Sequence, residues 1–259
     1  MVLWSIKNLR NPAGRKNRAD VLPAGAASVL LLFIALAVES HGRSARGDDA
    51  KVSSPTGGTI EGTITYKADA KRLWRYGRYY VKPKSGELSG ALVALDAPSL
   101  RKSAPPGKPD IVLMDQKDVL FTPETLAIRA GDKVRFTNSD SGTHNISTTS
   151  DLHPFSVSIS HGDETVQTFP RAGGIRRPIV LGCVFHSQMR AWIFVFDHPH
   201  YQLTGEDGRF RLANIPPGEY RLEMVHPAGE LRTGRRVELK AGETVKIDLE
   251  LTPDNKAVK

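Results

Sequence analysis

Three side chains that bind soft metal ions lie on one short segment, residues 182–192, with the sequence GCVFHSQMRAW. Cys183, His186 and Met189 are spaced as C-x2-H-x2-M between two predicted strands, so a single tight loop would present all three. Another histidine, His144, lies upstream within residues 143–145 (THN) and must arrive from a different strand. A thiolate, two imidazoles and a thioether form the donor set of a blue-copper electron-transfer site. Thiolate and thioether suit Cu(I) and imidazole suits Cu(II), so one geometry serves both oxidation states.

Each of these residues has another interpretation when it is taken alone. Cys183 could be a buried free thiol and Met189 could pack in a core, which are common states of both residue types. Either histidine could lie on a loop without a ligand. A nucleophilic Cys183–His186 pair is the enzymatic alternative, but no acyl-transfer signature surrounds it. The combination on a strand–loop–strand segment favours copper binding.

The remaining cysteine and histidine content limits the other possible sites. Cys183 is the only cysteine of 259 residues, which excludes an intramolecular disulfide, a CxxC redox pair, a zinc site made of four cysteines and an iron–sulfur cluster. The further histidines include two pairs that could form a second metal site, His153 with His161 and His198 with His200. A His-x-His pair without a third ligand is more often a surface feature at a strand end than a metal site. Because a copper nitrite reductase or a multicopper oxidase would need more histidine clusters, we predict one mononuclear site and no catalytic residues.

Short strands are predicted for most of the chain after residue 58. The segments are rich in β-branched and aromatic residues and are separated by Gly, Pro, Asn and Asp. After the first 47 residues, no long segment has apolar residues that recur with the 3.6-residue period of an amphipathic helix. The chain is therefore predicted to be all-β, of sandwich type, with two modules. The predicted strands are residues 59–66, 91–95, 126–128, 133–137, 179–181, 192–196, 209–212, 220–225, 236–239 and 244–251.

Residues 1–46 are typical of an export leader. A basic beginning is followed by the uncharged run 24–38, which is shorter than the roughly 20 apolar residues of a spanning helix. The small residues Ser40, Gly42, Ser44 and Ala45 fit a cleavage site, and an uncleaved, membrane-tethered form is the alternative. We therefore expect an exported protein of the periplasm or cell envelope, with residues 47–58 as a linker.

The net charge of +8 would fit a nucleic-acid partner, but the distribution of the charge along the chain argues against one. Residues 1–47 hold seven basic and two acidic residues, a net of +5, and the remaining 29 basic and 26 acidic residues leave only +3. Residues 74–84 (WRYGRYYVKPK) interleave aromatic and basic side chains, a pattern that can bind single-stranded nucleic acid. In an exported protein we interpret this segment as a surface loop or edge strand, and we predict no nucleic-acid partner.

The copper-type donor set lies within a resemblance to the cupredoxin family. The resemblance rests on residues 121–138 (FTPETLAIRAGDKVRFTN), on residues 143–145 and on the C-x2-H-x2-M loop, which is most similar to amicyanin within the plastocyanin-like group. It covers roughly residues 110–200 and implies a Greek-key sandwich or barrel. It also implies that Asn145 connects the two ligand loops by hydrogen bonds and that electrons leave through a partly exposed His186. The implied copper ligands are His144, Cys183, His186 and Met189.

The flanking segments resemble a carboxypeptidase regulatory-like domain, a β-sandwich grouped with carbohydrate-binding-like folds. The most distinctive part is residues 204–225 (TGEDGRFRLANIPPGEYRLEMV). The resemblance implies a split domain, residues 59–109 and 201–251, with the cupredoxin at 110–200 inserted between its second and third strands and a tail at 252–259. Exported bacterial proteins of the methylamine-utilisation type share this interleaved arrangement. The fold alone does not establish sugar binding.

The ligand loop departs from the amicyanin pattern at Phe185 and Ser187. Amicyanin-like loops carry Pro at one or both of these positions, and Pro has no peptide N–H. We expect the restored N–H near the Cys183 sulfur to stabilise Cu(I) and raise the reduction potential, so that Phe185→Pro would lower it.

These observations together predict an exported blue-copper protein that carries single electrons between redox proteins docking near His186. One alternative is a cell-envelope module that binds a glycan or a protein and carries a vestigial cupredoxin. The other alternative is a protein that captures and delivers copper.

Overall fold

The computed structural model describes residues 57–67, 85–102, 108–252 and 255. Within these residues the chain forms seventeen β-strands, three short 3₁₀ turns and no α-helix, which confirms the all-β prediction. The described part of the chain contains no helix long and apolar enough to cross a membrane. The predicted leader, most of the linker, residues 74–84 and most of the tail lie outside the described residues.

Residues 111–196 form nine strands in two facing sheets. The strands are β3 (Ile111–Lys117), β4 (Leu120–Thr122), β5 (Thr125–Arg129), β6 (Lys133–Asn138), β7 (His144–Thr148), β8 (Phe155–Ile159), β9 (Glu164–Thr168), β10 (Ile179–Gly182) and β11 (Arg190–Phe196). The first sheet has the order β4-β3-β6-β9 and the second has the order β5-β11-β10-β7-β8. Neighbours are antiparallel except for β3 with β6 and β5 with β11, which are parallel.

A hydrophobic core fills the space between these two sheets. Along β6, Val134 and Phe136 are buried and alternate with the more exposed Lys133 and Arg135, because successive strand side chains point to opposite faces. Cys183 and Met189 belong to the same buried cluster. The loop that carries the predicted ligands is therefore anchored at Cys183 and Met189 in the core between the two sheets.

A second sandwich is formed by the strands at the two ends of the described chain. One sheet pairs β1 (Gly58–Tyr66) with β13 (Arg209–Ile215), β16 (Thr244–Lys246) and β17 (Leu249–Leu251). The other comprises, in order, β12 (Tyr201–Leu203), β2 (Leu92–Asp96), β14 (Gly218–His226) and β15 (Leu231–Leu239). The core of this sandwich is a separate cluster that includes Ile60, Leu95 and Met224.

The pairing of this second sandwich is interleaved along the chain. β1 and β2 precede residue 111, whereas their sheet partners all follow residue 200. The predicted domain limits, and the resemblance of this sandwich to the carboxypeptidase regulatory-like family, stay predictions.

β11 connects the two sandwiches because it is apolar on both faces. Ile193 and Val195 point into the core of residues 111–196, and Phe194 and Phe196 point the other way. We call the cluster on this other face the seam. It consists of Leu92, Ala94, Ile175, Phe194, Phe196 and Val225.

His198 and His200 are buried next to the seam, so the prediction that this pair lies at the surface is wrong. The His198 ring centroid lies 5.4 Å from that of Phe196 and 6.0 Å from that of His200. Nδ1 of His198 accepts a hydrogen bond of 3.2 Å from the His200 peptide N–H. Among the described residues these two histidines join no third metal-binding side chain.

Burial lowers the pKa of both rings below the ordinary value of 6.5. For His198 the nearby Asp197 carboxylate opposes this shift, and the neighbouring His200 adds to it. The neutral form is therefore favoured in the folded protein. Because the unfolded chain binds protons more readily, this contribution to stability is complete above about pH 6.5 and is lost as the pH falls below it.

We expect the free energy of unfolding to fall between about pH 7 and pH 5. Each buried histidine contributes at most about 1.4 kcal/mol per pH unit while it stays neutral in the folded state. Urea unfolding at several pH values measures this slope. His200→Phe removes one titrating ring while keeping a ring of similar size, and it should reduce the slope. An unchanged slope in this variant would contradict the assignment.

Candidate metal centre

The pairing of three strands brings the predicted ligands to one end of the first sandwich. His144 is the first residue of β7, Cys183 follows β10 directly, and Met189 immediately precedes β11. β10 lies between β7 and β11 and pairs with both, with Gly182 opposite Ser147 and Arg190. The Ser147 hydroxyl donates a hydrogen bond of 3.2 Å to the Gly182 carbonyl and reinforces this junction. The upstream histidine therefore arrives from another strand, as expected.

His144, Cys183 and His186 form a compact cluster. Their ligand atoms all lie within 4.8 Å of one another, and this is the only such group of three among the described residues. The two histidine Nδ1 atoms are 3.2 Å apart, and Cys183 Sγ lies 3.7 Å from Nδ1 of His186. Bonds of about 2.0 Å to nitrogen and 2.3 Å to sulfur would separate three ligand atoms by roughly 3.3–3.7 Å. The residues present therefore fit a bound metal ion, and their soft and borderline donors fit copper.

The cluster is closed to solvent on most sides. His144 is 2% exposed and Cys183 is 8% exposed, and the buried Met189 belongs to the same core cluster as Cys183. His186 is only partly buried. It is followed along the loop by exposed positions and preceded by Val184 and Phe185, which are 66% and 58% exposed. The cluster thus reaches the surface through the His186 imidazole, beside the exposed apolar side chains of Val184 and Phe185.

Asp140 orients His144. Its Oδ2 atom lies 2.8 Å from His144 Nε2, so Nε2 carries the proton and Nδ1 is left to face the cluster. The same carboxylate accepts hydrogen bonds from the peptide N–H groups of Asp118 (2.7 Å) and Val119 (2.9 Å). Both of these residues have positive φ, as the two central residues of a tight hairpin turn do.

The charge of Asp140 is stabilised by these donors. Desolvation raises the pKa of Asp140, but hydrogen bonds from Val119, His144 and Asp118 outweigh it, so the pKa is lowered from 3.8. Sequence reasoning missed Asp140. The available signal was a carboxylate four residues before a ligand histidine.

Asn145 contacts the cysteine loop through its backbone and not through its side chain. Its peptide N–H donates a hydrogen bond of 3.4 Å to Cys183 Sγ. Its side-chain amide donates instead to the Ser156 and Ser158 hydroxyls on β8, at 3.2 Å each. The fully buried Gln116, also missed from the sequence, donates at 3.3 Å to the Asn145 carbonyl and so holds the same residue from the opposite sheet.

The donor expected at Phe185 is not found in the described structure. The hydrogen bond to the Cys183 sulfur comes from Asn145 on β7, and Phe185 donates none to it. The expected effect of Phe185→Pro on the reduction potential therefore loses its structural basis. The exposed ring of Phe185 contributes to the surface beside His186 instead.

Residues 111–203 match the family model described as copper binding proteins, plastocyanin/azurin family. This part of the chain is therefore a cupredoxin domain, and its His/Cys/His cluster fits a copper protein. No protein with a curated description matches the chain.

Solved structures with similarity to the chain include three copper proteins. A copper-containing nitrite reductase from Thermus scotoductus SA-01 is 24% identical over 36% of this chain and 24% of its own, with a TM-score of 0.31. A purple cupredoxin from Nitrosopumilus maritimus is 21% identical over 33% of this chain and 99% of its own, with a TM-score of 0.29. A reduced amicyanin mutant is 19% identical over 40% and 99%, with a TM-score of 0.30. The chain thus spans about a quarter of the nitrite reductase.

Proposed function

We propose that the chain is an exported copper protein with one mononuclear site that carries single electrons between redox proteins. The observation that carries this proposal is the compact His144–Cys183–His186 cluster within a cupredoxin domain. His144, Cys183, His186 and Met189 would hold the ion. When bound there, copper supplies one-electron chemistry by alternating between Cu(II) and Cu(I).

Four features of the cluster and its surroundings support electron transfer. Asp140 fixes the tautomer and direction of His144, and the Asn145 peptide N–H stabilises negative charge on the Cys183 sulfur. Burial of the cluster keeps water away from the ligand atoms. The partly exposed His186 gives the shortest route to the surface.

The surface beside His186 is suited to a protein partner. The exposed side chains of Val184 and Phe185 provide an apolar edge at which a redox protein can dock. We propose that donor and acceptor both approach here, in the periplasm or at the cell envelope, with an uncleaved leader as the only link to a membrane. No nucleic acid and no enzyme substrate take part in this function.

Addition of Cu(II) to the purified chain tests the proposal. We expect one copper per chain and an intense absorption near about 600 nm from thiolate-to-copper charge transfer. A mild reductant should bleach the band, and a mild oxidant should restore it. Stoichiometric binding without this band would favour copper capture and delivery. Absence of binding would favour an envelope module with a vestigial cupredoxin.

Asp140→Asn is expected to weaken copper binding by about 10- to 100-fold, because the amide holds the His144 Nε2–H less strongly than the carboxylate does. Competition with a chelator of known affinity measures the change. Asp151→Asn serves as the matched control, since the exposed Asp151 carboxylate lies outside the cluster and pairs with Arg177. Equal affinities for Asp140→Asn and the unaltered chain would show that the orientation of His144 does not depend on this contact.

A further inference from the structure

A small cavity opens at the seam, on the face of β11 that points away from the metal centre's core. Its volume is about 250 Å³, which is below the roughly 300–1,000 Å³ of pockets for drug-sized ligands and therefore suits a small ligand. Trp192 and Phe194 line it from β11, and Pro178 lies next to them. The charged lining residues are Arg176, Arg232 and Glu230. The cavity thus combines an aromatic wall with two guanidinium groups and one carboxylate.

Trp192 provides a flat apolar surface in this cavity. Its side chain packs against the seam and is only partly buried, whereas the neighbouring Phe194 is buried. Its position is fixed by strand pairing, because β11 holds Trp192 between Val180 and Thr125. A partly exposed indole on a rigid strand is a platform on which the C–H face of a ring can stack.

The two arginines are held in place by a buried carboxylate. Glu223 on β14 is 3% exposed and accepts hydrogen bonds from three guanidinium groups. These belong to Arg176, to Arg221 at 2.8 Å and to Arg232 at 3.2 Å. Arg176 also donates to Asp96 at 3.0 Å, and Arg232 donates to the Ile175 carbonyl at 3.3 Å.

This network costs desolvation free energy, and buried ion pairs are weak stabilisers in general. Its hydrogen bonds hold the side chains of Arg176 and Arg232 in one conformation before any ligand binds. Such preorganisation increases affinity because less entropy is lost on binding. Each of the two arginines keeps N–H groups that make no hydrogen bond within the described residues.

Glu230 supplies an acceptor on the same cavity. It is exposed, it makes no ion pair among the described residues, and its backbone is left-handed with φ of 54°. A carboxylate beside guanidinium donors matches a ligand that both donates and accepts hydrogen bonds. Sugar hydroxyl groups do both, whereas an aromatic carboxylate has no group to donate to Glu230.

We propose that this cavity binds one pyranose ring of a sugar, stacked on Trp192 and hydrogen-bonded by Arg176, Arg232 and Glu230. Sites of this kind occur preferentially between packed domains, as this one does between β11 and β14–β15. The proposal concerns a different face from the metal centre and does not depend on copper binding.

Ligand-detected saturation-transfer NMR on the full chain tests the proposal, without added copper because free Cu(II) binds carboxylates. The probes are methyl glucoside, glucuronic acid and benzoate at millimolar concentration. We expect both sugars to bind more tightly than benzoate. Tighter binding of glucuronic acid that weakens with salt would assign acidic sugars, and equal binding would assign neutral ones. Benzoate binding as tight as that of the sugars, or no binding of either sugar, would overturn the proposal.

Variants locate the binding. Trp192→Leu is expected to weaken sugar binding about tenfold by removing the platform, and Trp192→Phe should restore part of it. Arg232→Gln should weaken binding to a similar extent. Arg211→Gln is the matched control, since Arg211 pairs with Glu61 at 2.8 Å on the other sheet. Equal losses in Arg232→Gln and Arg211→Gln, or an unaffected Trp192→Leu, would refute the site. Urea unfolding confirms that each variant is folded.

Discussion

Replacing Cys183 by serine is expected to abolish the intense visible absorption of the copper-loaded chain. The band near about 600 nm requires a thiolate that donates charge to Cu(II), and a serine hydroxyl cannot supply it. Because Cys183 is the only cysteine, no other side chain can take over this role. We expect the absorbance to fall more than about tenfold and copper affinity to fall with it. Titration with Cu(II) monitored by absorption and by chelator competition measures both.

Two controls make this result specific. Asp151→Asn changes an exposed side chain outside the cluster and should leave the band and the affinity unchanged. Serine is close to cysteine in size, so urea unfolding should show that Cys183→Ser remains folded. A band of undiminished intensity in Cys183→Ser would place the chromophore elsewhere and remove the main support for the proposed function.

Gly62→Ala is expected to destabilise the second sandwich by about 3 kcal/mol or more. A Cβ atom on Gly62 would lie 1.8 Å from the Ile247 carbonyl oxygen and 2.5 Å from its carbon. Both of these are backbone atoms, so no side-chain rotation can relieve the clash. The chain at Ile247 would have to move away from β1, which breaks the hydrogen bond of 2.8 Å from the Ile247 N–H to the Glu61 carbonyl. The parallel pairing of β16 and β17 with β1 would be lost with it.

The matched substitution is Gly142→Ala, where an added Cβ meets nothing within 4 Å. Urea unfolding of both variants measures the difference in unfolding free energy. We expect Gly142→Ala to stay within about 0.5 kcal/mol of the unaltered chain. A Gly62→Ala variant as stable as Gly142→Ala would mean that β1 and the chain at Ile247 are less tightly paired than the structure has them.

Local patterns predicted those strands whose side chains alternate or are uniformly β-branched and aromatic. β11 is nearly a continuous apolar run because it is buried on both faces. In β14 the apolar residues Tyr220, Leu222 and Met224 alternate with Arg221 and Glu223. β3, β4, β7, β8, β9 and β12 were not predicted. β9 is the short polar sequence ETVQT, and β3 exposes Ile111 and Leu113 while it buries Met114 and Gln116. These strands form because of their sheet neighbours, which no local pattern records.

The same division applies to the candidate site. The C-x2-H-x2-M spacing predicted the loop because three of its donors are close in sequence. Asp140 and Gln116 were missed because their contacts depend on the β3–β4 turn and on the meeting of two sheets. The burial of His198 and His200 was missed for a similar reason, since β2 and the seam cover them from distant parts of the chain.

The interleaved pairing of β1 and β2 imposes an order on folding during synthesis. Residues 111–196 contain all the sheet partners of β3 to β11, so this part can fold as soon as it has left the ribosome. β1 leaves earlier but cannot pair until β13 follows at residue 209, and β2 must wait for β12 and β14. For this interval the two segments lack their sheet partners and leave backbone hydrogen-bonding groups open, a state prone to mispairing. The metal-binding half is thus complete before the half that surrounds it in sequence can close.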